Sequence, residues 1–151
     1  RVLFSGTVAA TGNELYTNMS TDAVATAAAV VGTEIGTGAT GAAVTISEDG
    51  VYSSSLAFFT ADDENGVELW ATDGTATKMV ANINFADNAI ADSSPGNFVV
   101  SGTKMYFTAT DTAGNVELFV MSSPTYASAT VTQLTEWAQG AFSDMVPFGT
   151  S

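Results

Sequence analysis

The stretch GVELWATDGTATKMV (residues 66–80) contains a short pattern that occurs three times in this chain. Its opening GVELW is echoed by GNELY at residues 12–16 and by GNVELF at residues 114–119. In each copy an aromatic residue precedes the glutamate by about ten positions: Phe4, Phe58 and Phe107. A pattern that recurs about every 50 residues indicates one supersecondary unit used three times. The expected repeats span about 2–55, 56–104 and 105–151.

The second copy predicts the order of strands most clearly. Residues 56–61 and 67–72 are rich in apolar and aromatic residues and flank a turn at 62–66, which is typical of a β-hairpin. Residues 77–83 predict a third strand, and residues 98–101 predict a fourth strand that ends the unit. Four such strands in each repeat predict an all-β chain of antiparallel sheets with little helix.

The other two copies follow the same order. In the third copy, residues 145–148 correspond to 98–101 and are expected to be the last strand of the unit. In the first copy, the alanine-rich residues 23–31 are compatible with a helix by composition, but their place in the repeat favours a strand. The strands of all three copies predict the following buried residues: Phe4, Leu15, Phe58, Leu69, Trp70, Val80, Phe98, Val100, Tyr106, Leu118 and Phe119.

The second copy resembles the "ELW-x-TDGT" repeats that occur in tandem in secreted bacterial proteins and are taken to be β-propeller blades. The other copies keep the Glu-Leu-aromatic core but replace the TDGT turn. The resemblance implies a blade-like architecture and an extracellular location, and it implies no enzymatic activity. Closed propellers use four to eight blades. Three arrangements therefore stay open: a six-bladed ring of two chains, a closed threefold prism or trefoil-like body, and an open head-to-tail polymer.

Composition excludes several classes of function. We treat the 151 residues as a single domain (1–151). They include 16 acidic and three basic residues, for a net charge of −13. This balance argues against nucleic acid and against anionic membrane surfaces as partners, and no apolar run is long enough to insert into a membrane. The absence of Cys and His excludes disulfides, thiolate chemistry and Ser-His catalysis. An initial Arg is compatible with removal of a signal peptide, so we expect an extracellular or cell-surface location.

Three consecutive acids form the first candidate site. Asp62, Asp63 and Glu64 lie together in the hairpin turn of the second copy. Their carboxylates are the oxygen ligands that Ca²⁺ prefers, although the spacing is not that of an EF-hand. The other copies lack the triplet, so a solvated turn without a cofactor is the favoured interpretation.

The repeated glutamates form the second candidate. Two carboxylates in one cleft perform glycoside hydrolysis, but that chemistry needs two unequal acids, whereas Glu14, Glu68 and Glu117 occupy equivalent positions. We therefore expect a structural role, such as capping a backbone turn.

The repeated aromatic residues form the third candidate. Tyr16, Trp70 and Phe119 close the three copies of the pattern. Exposed rings in these positions would stack on sugars, whereas buried rings would fill the core between sheets. Core packing is the favoured interpretation.

The two ends of the sequence carry complementary parts of the repeat. Residues 145–150 align with 98–103, and residues 2–5 align with 105–108. Unpaired apolar strands are an aggregation liability, so we expect them to pair between chains. The residues expected at this junction are Val2, Leu3, Phe4, Val146, Pro147 and Phe148.

These features predict a non-enzymatic, secreted structural protein that self-assembles into a filament, surface layer or matrix through its terminal strands. An extracellular carbohydrate-binding module is the alternative, and a hydrolase is a distant third. A self-assembling structural protein requires neither a metal ion nor a cofactor.

Overall fold

The described part of the chain consists of β-strands and their connections. The computed structural model describes the backbone of residues 3–8, 12–17, 29–30 and 51–53, and the backbone and side chains of 56–62, 66–73, 77–85, 91–122, 129–138, 142 and 144–148. None of these residues is helical, which confirms the all-β prediction for them. Accordingly, none of them belongs to a helix that would be long and apolar enough to cross a bilayer.

Eleven strands lie within the described residues. They are β1 (Leu3–Val8), β2 (Gly12–Thr17), β3 (Ala29–Val30), β4 (Val51–Ser53), β5 (Leu56–Asp62), β6 (Val67–Thr72), β7 (Thr77–Ala81), β8 (Gly96–Ser101), β9 (Lys104–Thr110), β10 (Val116–Ser122) and β11 (Thr130–Gln133).

These strands form three antiparallel sheets. Sheet 1 contains β1-β2-β3, sheet 2 contains β4-β5-β6-β7, and sheet 3 contains β8-β9-β10-β11, each in that spatial order. Because neighbours in space are also consecutive in the chain, every sheet is a simple meander. Of residues 23–31, the structure describes Ala29–Val30, which pair with β2 as a strand.

The hairpin that carries the repeated pattern has the same register in all three sheets. An aromatic residue of the preceding strand faces the aromatic residue of the pattern: Phe4↔Tyr16, Phe59↔Trp70 and Phe107↔Phe119. The sequence comparison places Phe58 in this series, and the structure corrects it to Phe59. The reason is that the turn at residues 63–66 is one residue shorter than the turn at 111–115.

The structure also corrects the expected fourth strand. Strand β8 does not close sheet 2 but pairs with β9 at the edge of sheet 3, and β4, which the sequence did not predict, pairs with β5. The physical reason is the short connection: Gly102, at φ +60°, and Thr103 turn β8 directly into β9, and such two-residue turns favour hairpin pairing. Residues 145–148, predicted as a strand, are not in one. Residues 44–47, which by their place in the first copy are also expected to form a fourth strand, lie outside the described residues.

The core lies between one face of sheet 2 and one face of sheet 3. The central ring, Phe107, is fully buried and lies 5.7 Å from the ring of Phe98 and 5.7 Å from that of Phe119. The buried residues that form this cluster are Leu56, Phe58, Leu69, Ala71, Ile83, Phe98, Met105, Phe107, Ala109, Phe119 and Met121. Val80 and Val100, both expected in the core, pack against the cluster while partly buried. Phe4 and Leu15 have no described side chains.

Sheets 2 and 3 differ in how many of their faces are buried. Strands β5 and β6 are buried along almost their whole length, so both faces of sheet 2 are covered. Strands β9 and β10 instead alternate at their ends between buried and more exposed residues. Sheet 3 therefore has an inner face, which contacts sheet 2, and an outer face, on which Tyr106 and Leu118 are only half-buried.

Candidate functional site

The most distinctive polar site is the buried carboxylate of Glu68. Strand β6 places this side chain on a fully buried face, with no solvent exposure. Its Oε2 accepts hydrogen bonds from the Ile83 amide at 2.9 Å and from the Ser93 hydroxyl at 2.5 Å. These bonds join β6 to the segment between β7 and β8, whose described residues belong to no strand. Glu68 therefore holds a long connection against the sheet.

Burial changes the acidity of this group. It raises the pKa of the Glu68 carboxyl above its usual range, because the charged form loses its hydration. Hydrogen bonding from Ile83, Ser93 and the Asn84 backbone lowers the pKa and offsets part of this effect. The other oxygen, Oε1, and the indole Nε1 of Trp70 on the same face are both buried without a hydrogen-bond partner.

The connection that Glu68 holds is pinned at several further points. The Val67 carbonyl accepts hydrogen bonds from the amides of Ser93 and Ser94 at 3.1 and 2.9 Å. The Val67 amide donates to Asp92 Oδ1 at 2.8 Å. The Ser93 carbonyl accepts from the Thr110 amide of β9 at 2.7 Å, which links this segment to sheet 3. Ser93 thus contacts both sheets, and it is itself fully buried.

Glu117 occupies the equivalent position in sheet 3 and has the equivalent function. It is also without solvent exposure. One oxygen accepts the hydroxyl of Thr135, in a short hydrogen bond, and the other accepts the Trp137 amide at 2.5 Å. The Thr135 hydroxyl in turn accepts the Leu118 amide at 2.9 Å. The glutamate therefore holds the chain that follows β11, as Glu68 holds the chain that follows β7.

This arrangement gives two of the three repeated glutamates a structural role. Each carboxylate is occupied by a backbone amide and a hydroxyl from its own following segment. Such bonds to a carboxylate are stronger than bonds between neutral groups. The side chain of Glu14 is outside the described residues, although its backbone pairs with Gly6 as Glu68 pairs with Ala61. The sequence signal found the glutamates, but it gave no sign of Ser93 or Thr135, which lie at different distances along the chain.

The acidic turn is described at one of its three positions. Asp62 ends β5, is half-buried and is paired in register with Val67. Asp63 and Glu64 lie outside the described residues. Across the described ranges, no group of three acidic side chains is placed to hold a metal ion.

Two of the predicted sugar-stacking residues lie in the interior. Trp70 is 8% exposed and Phe119 is 4% exposed, so neither ring offers a free face to a ligand. This burial corresponds to the core interpretation of these residues. For Tyr16 only the backbone is described, in β2.

A different aromatic pair is partly accessible. Trp137, which is 49% exposed, stacks on Phe142 with ring centroids 5.0 Å apart and planes 9° from parallel. The Trp137 amide is the one that Glu117 accepts, so the polar network of sheet 3 also fixes this pair in place.

The predicted junction residues lie in two places that differ in structure. Leu3 and Phe4 are in β1, whose only described partner is β2, so β1 is an edge of sheet 1 among the described strands. Val146 is 79% exposed, Phe148 is 100% exposed, and Pro147 is also exposed. Val2 is outside the described residues. Among the described residues, the β1 edge of sheet 1 and the exposed apolar residues 146–148 are not paired with each other.

No family model matches this chain, and no curated protein or solved structure matches it either.

Proposed function

We propose that this protein is a non-enzymatic, extracellular structural protein that self-assembles by β-strand addition. One observation carries the proposal: among the described strands, sheets 2 and 3 each have a strand, β4 or β8, at the edge where sheet 1 ends with β1. The three hairpins share their register, so β1, β5 and β9 are equivalent strands. The edge of β1 is therefore the place for a fourth strand.

The segment 144–148, which is exposed except at the half-buried Met145, has the properties of that fourth strand. Its sequence aligns with β8, and Val146 corresponds to Val99, which pairs with Tyr106. By the same alignment Tyr106 corresponds to Leu3. Pro147 is tolerated on an edge strand when its nitrogen points away from the partner. The expected register thus places Val146 of one chain opposite Leu3 of another.

Strand addition accounts for both unsatisfied features together. An open edge presents free amide and carbonyl groups, and added strands supply affinity through main-chain hydrogen bonds. Exposed apolar side chains such as Phe148 gain from burial when the strand docks. Repeated from chain to chain, the contact produces a head-to-tail assembly of blade-like units in a filament, layer or matrix.

The remaining properties of the chain are compatible with this function. Glu68 and Glu117 are occupied by structural hydrogen bonds, which leaves no reason to assign these two glutamates to hydrolysis. A net charge of −13 with three basic residues keeps the assembled surfaces soluble and suits a protein outside the cell. The blade-like resemblance of residues 66–80 points to the same location.

Cysteine cross-linking tests the proposal directly, because the chain has no Cys. Two single-cysteine variants, Leu3→Cys and Val146→Cys, are mixed under mild oxidation, one of them carrying a tag that changes its mass. Opposite residues of antiparallel strands have Cβ atoms about 4.5–5.5 Å apart, close to what a disulfide needs. We expect a mixed disulfide, which two single-cysteine chains can form only between molecules.

Thr7→Cys provides the matched control. It lies on the same strand but about 13 Å farther along, four residues at about 3.3 Å each, so its cross-linking to Val146→Cys measures random collision. A mixed yield no higher than this control, together with sedimentation at the 15.4 kDa of a monomer, would refute self-assembly. A third variant carries both Leu3→Cys and Val146→Cys. A disulfide that forms only within one molecule of this variant would indicate a closed body instead.

A further inference from the structure

The outer face of sheet 3 is an apolar surface without a described partner. Its centre contains Tyr106 and Leu118, which are half-buried, and Val120, which is buried at 9% exposure. Val116 and Leu134 continue the surface toward its margin, where both are exposed. The inner face of the same sheet, by contrast, packs on sheet 2 and is buried along β9 and β10.

The register identifies which surface of sheet 2 corresponds to this face. Tyr106 pairs with Val120 as Phe58 pairs with Ala71. Leu118 pairs with Thr108 as Leu69 pairs with Thr60. The equivalent residues of sheet 2, namely Phe58, Leu69 and Ala71, are at most 2% exposed because they form part of the core shared with sheet 3. The outer face of sheet 3 is thus equivalent to the face of sheet 2 that sheet 3 covers.

Sheet 1 has the hairpin register that such a cover requires. The face of sheet 3 that covers sheet 2 contains the pairs Phe107↔Phe119 and Ala109↔Glu117. At the same register positions of sheet 1, the sequence has Phe4↔Tyr16 and Gly6↔Glu14. An aromatic pair followed by a small residue and a glutamate is therefore common to both hairpins.

We propose that the outer face of sheet 3 binds sheet 1 of a second copy of this chain, stacked as sheet 3 is stacked on sheet 2. The inference rests on the proposed self-assembly and adds to it a second, larger contact. The path of the chain is consistent with both contacts, the added strand and the stacked face. The segment that follows β7 leads to β8, the edge strand of the sheet stacked on sheet 2. The segment that follows β11 leads to Asp144–Phe148, which strand addition places at the edge of the stacked sheet 1. One neighbour thus receives the strand and the face together.

Leu118→Thr tests the face without changing the edge. The substitution keeps a side chain suited to a strand and removes apolar surface. Burying a leucine side chain favours association by a factor of about 10 to 100. We expect the variant to associate at least tenfold more weakly in sedimentation, with an unchanged β circular dichroism spectrum. Tyr106→Thr is the second variant, and it is expected to weaken association as well.

Phe85→Thr is the matched control. Phe85 is an exposed apolar residue in the segment after β7 and does not belong to sheet 3, so its removal should leave association unchanged. If Leu118→Thr and Tyr106→Thr associate like the parent and still give the Leu3–Val146 mixed disulfide, strand addition stands and face stacking is refuted. If the parent itself neither cross-links nor associates, the proposed function fails, and the inference fails with it.

Discussion

Gly66 supports the polar network of sheet 2, and replacing it with alanine should disrupt that network. The residue ends the turn before β6 at φ +92°, a conformation that costs a residue with a Cβ about 1–2 kcal/mol. A Cβ at this position would lie 2.6 Å from the Ala91 carbonyl oxygen and 3.0 Å from Asp92 Oδ1. Both contacts are too short, so the segment that contains Ala91 must move away from the sheet.

This movement would weaken the hydrogen bonds that attach the segment to Val67. These are the bond from the Val67 amide to Asp92 and the bonds from Ser93 and Ser94 to the Val67 carbonyl. A single hydrogen bond contributes about 0.5–1.5 kcal/mol. Loss of one or two of them, added to the backbone strain, predicts that Gly66→Ala lowers the free energy of unfolding by about 2–4 kcal/mol.

Gly114→Ala separates the two contributions. Gly114 has a similar φ of +81°, but a Cβ there would meet nothing within 4 Å, so this variant should lose only the strain of about 1–2 kcal/mol. Urea unfolding followed by circular dichroism measures both variants. With a urea dependence of about 2 kcal/mol per molar, the midpoints should differ by about 0.5–1 M. Equal losses in the two variants would show that the approach of Ala91 does not constrain Gly66.

Three further predictions concern acidity, packing and cations. Because the folded pKa of Glu68 is raised, the native state binds more protons than the unfolded chain, so the contribution of Glu68 to the free energy of unfolding falls as pH rises above about 4.3. In melting experiments from pH 4 to 7, Glu68→Gln should remove this pH-dependent contribution, and a pH profile like that of the parent would contradict the prediction. Phe107→Ala should lower the free energy of unfolding in urea by about 3–5 kcal/mol because it empties the centre of the core. Phe148→Ala, at a fully exposed side chain, should change monomer stability by less than about 0.5 kcal/mol, and similar losses in the two variants would refute the location of the core. Chelation of divalent cations should leave the melting temperature unchanged, and so should Asp63→Asn. A fall in melting temperature of more than about 4 °C on chelation, absent in Asp63→Asn, would indicate a Ca²⁺ site.

Local pattern was sufficient to predict most of the individual strands. Residues 67–72 are predicted as a strand and form β6 with those limits. Their counterparts in the third copy, residues 116–121, are predicted by the same pattern and form β10 with one added residue. Both segments combine β-branched or aromatic residues with a glycine turn before them, and these are properties of a few adjacent residues. The structural role of the repeated glutamates was also predictable, because catalysis does not need three equivalent acids.

The partners of those glutamates were not predictable in the same way. Ser93 lies 25 residues after Glu68, whereas Thr135 lies 18 residues after Glu117. The connections differ in length, so no fixed spacing relates the hydroxyl to the acid. Only the folded arrangement places each hydroxyl beside its carboxylate.

The amino-acid sequence by itself determined the all-β class, the positions of the hairpins and the recurrence of the Glu-Leu-aromatic pattern, because these depend on local periodicity and turn residues. Only the tertiary structure decided which sheet each outer strand joins, that Trp70 and Phe119 are interior, and that sheet 3 has one face packed on sheet 2 and one partly exposed face. Strand pairing and face-to-face packing depend on residues far apart in the chain. A strand such as β8 has the same local sequence whether it pairs with the hairpin before it or after it, and the short turn at Gly102 selects the latter.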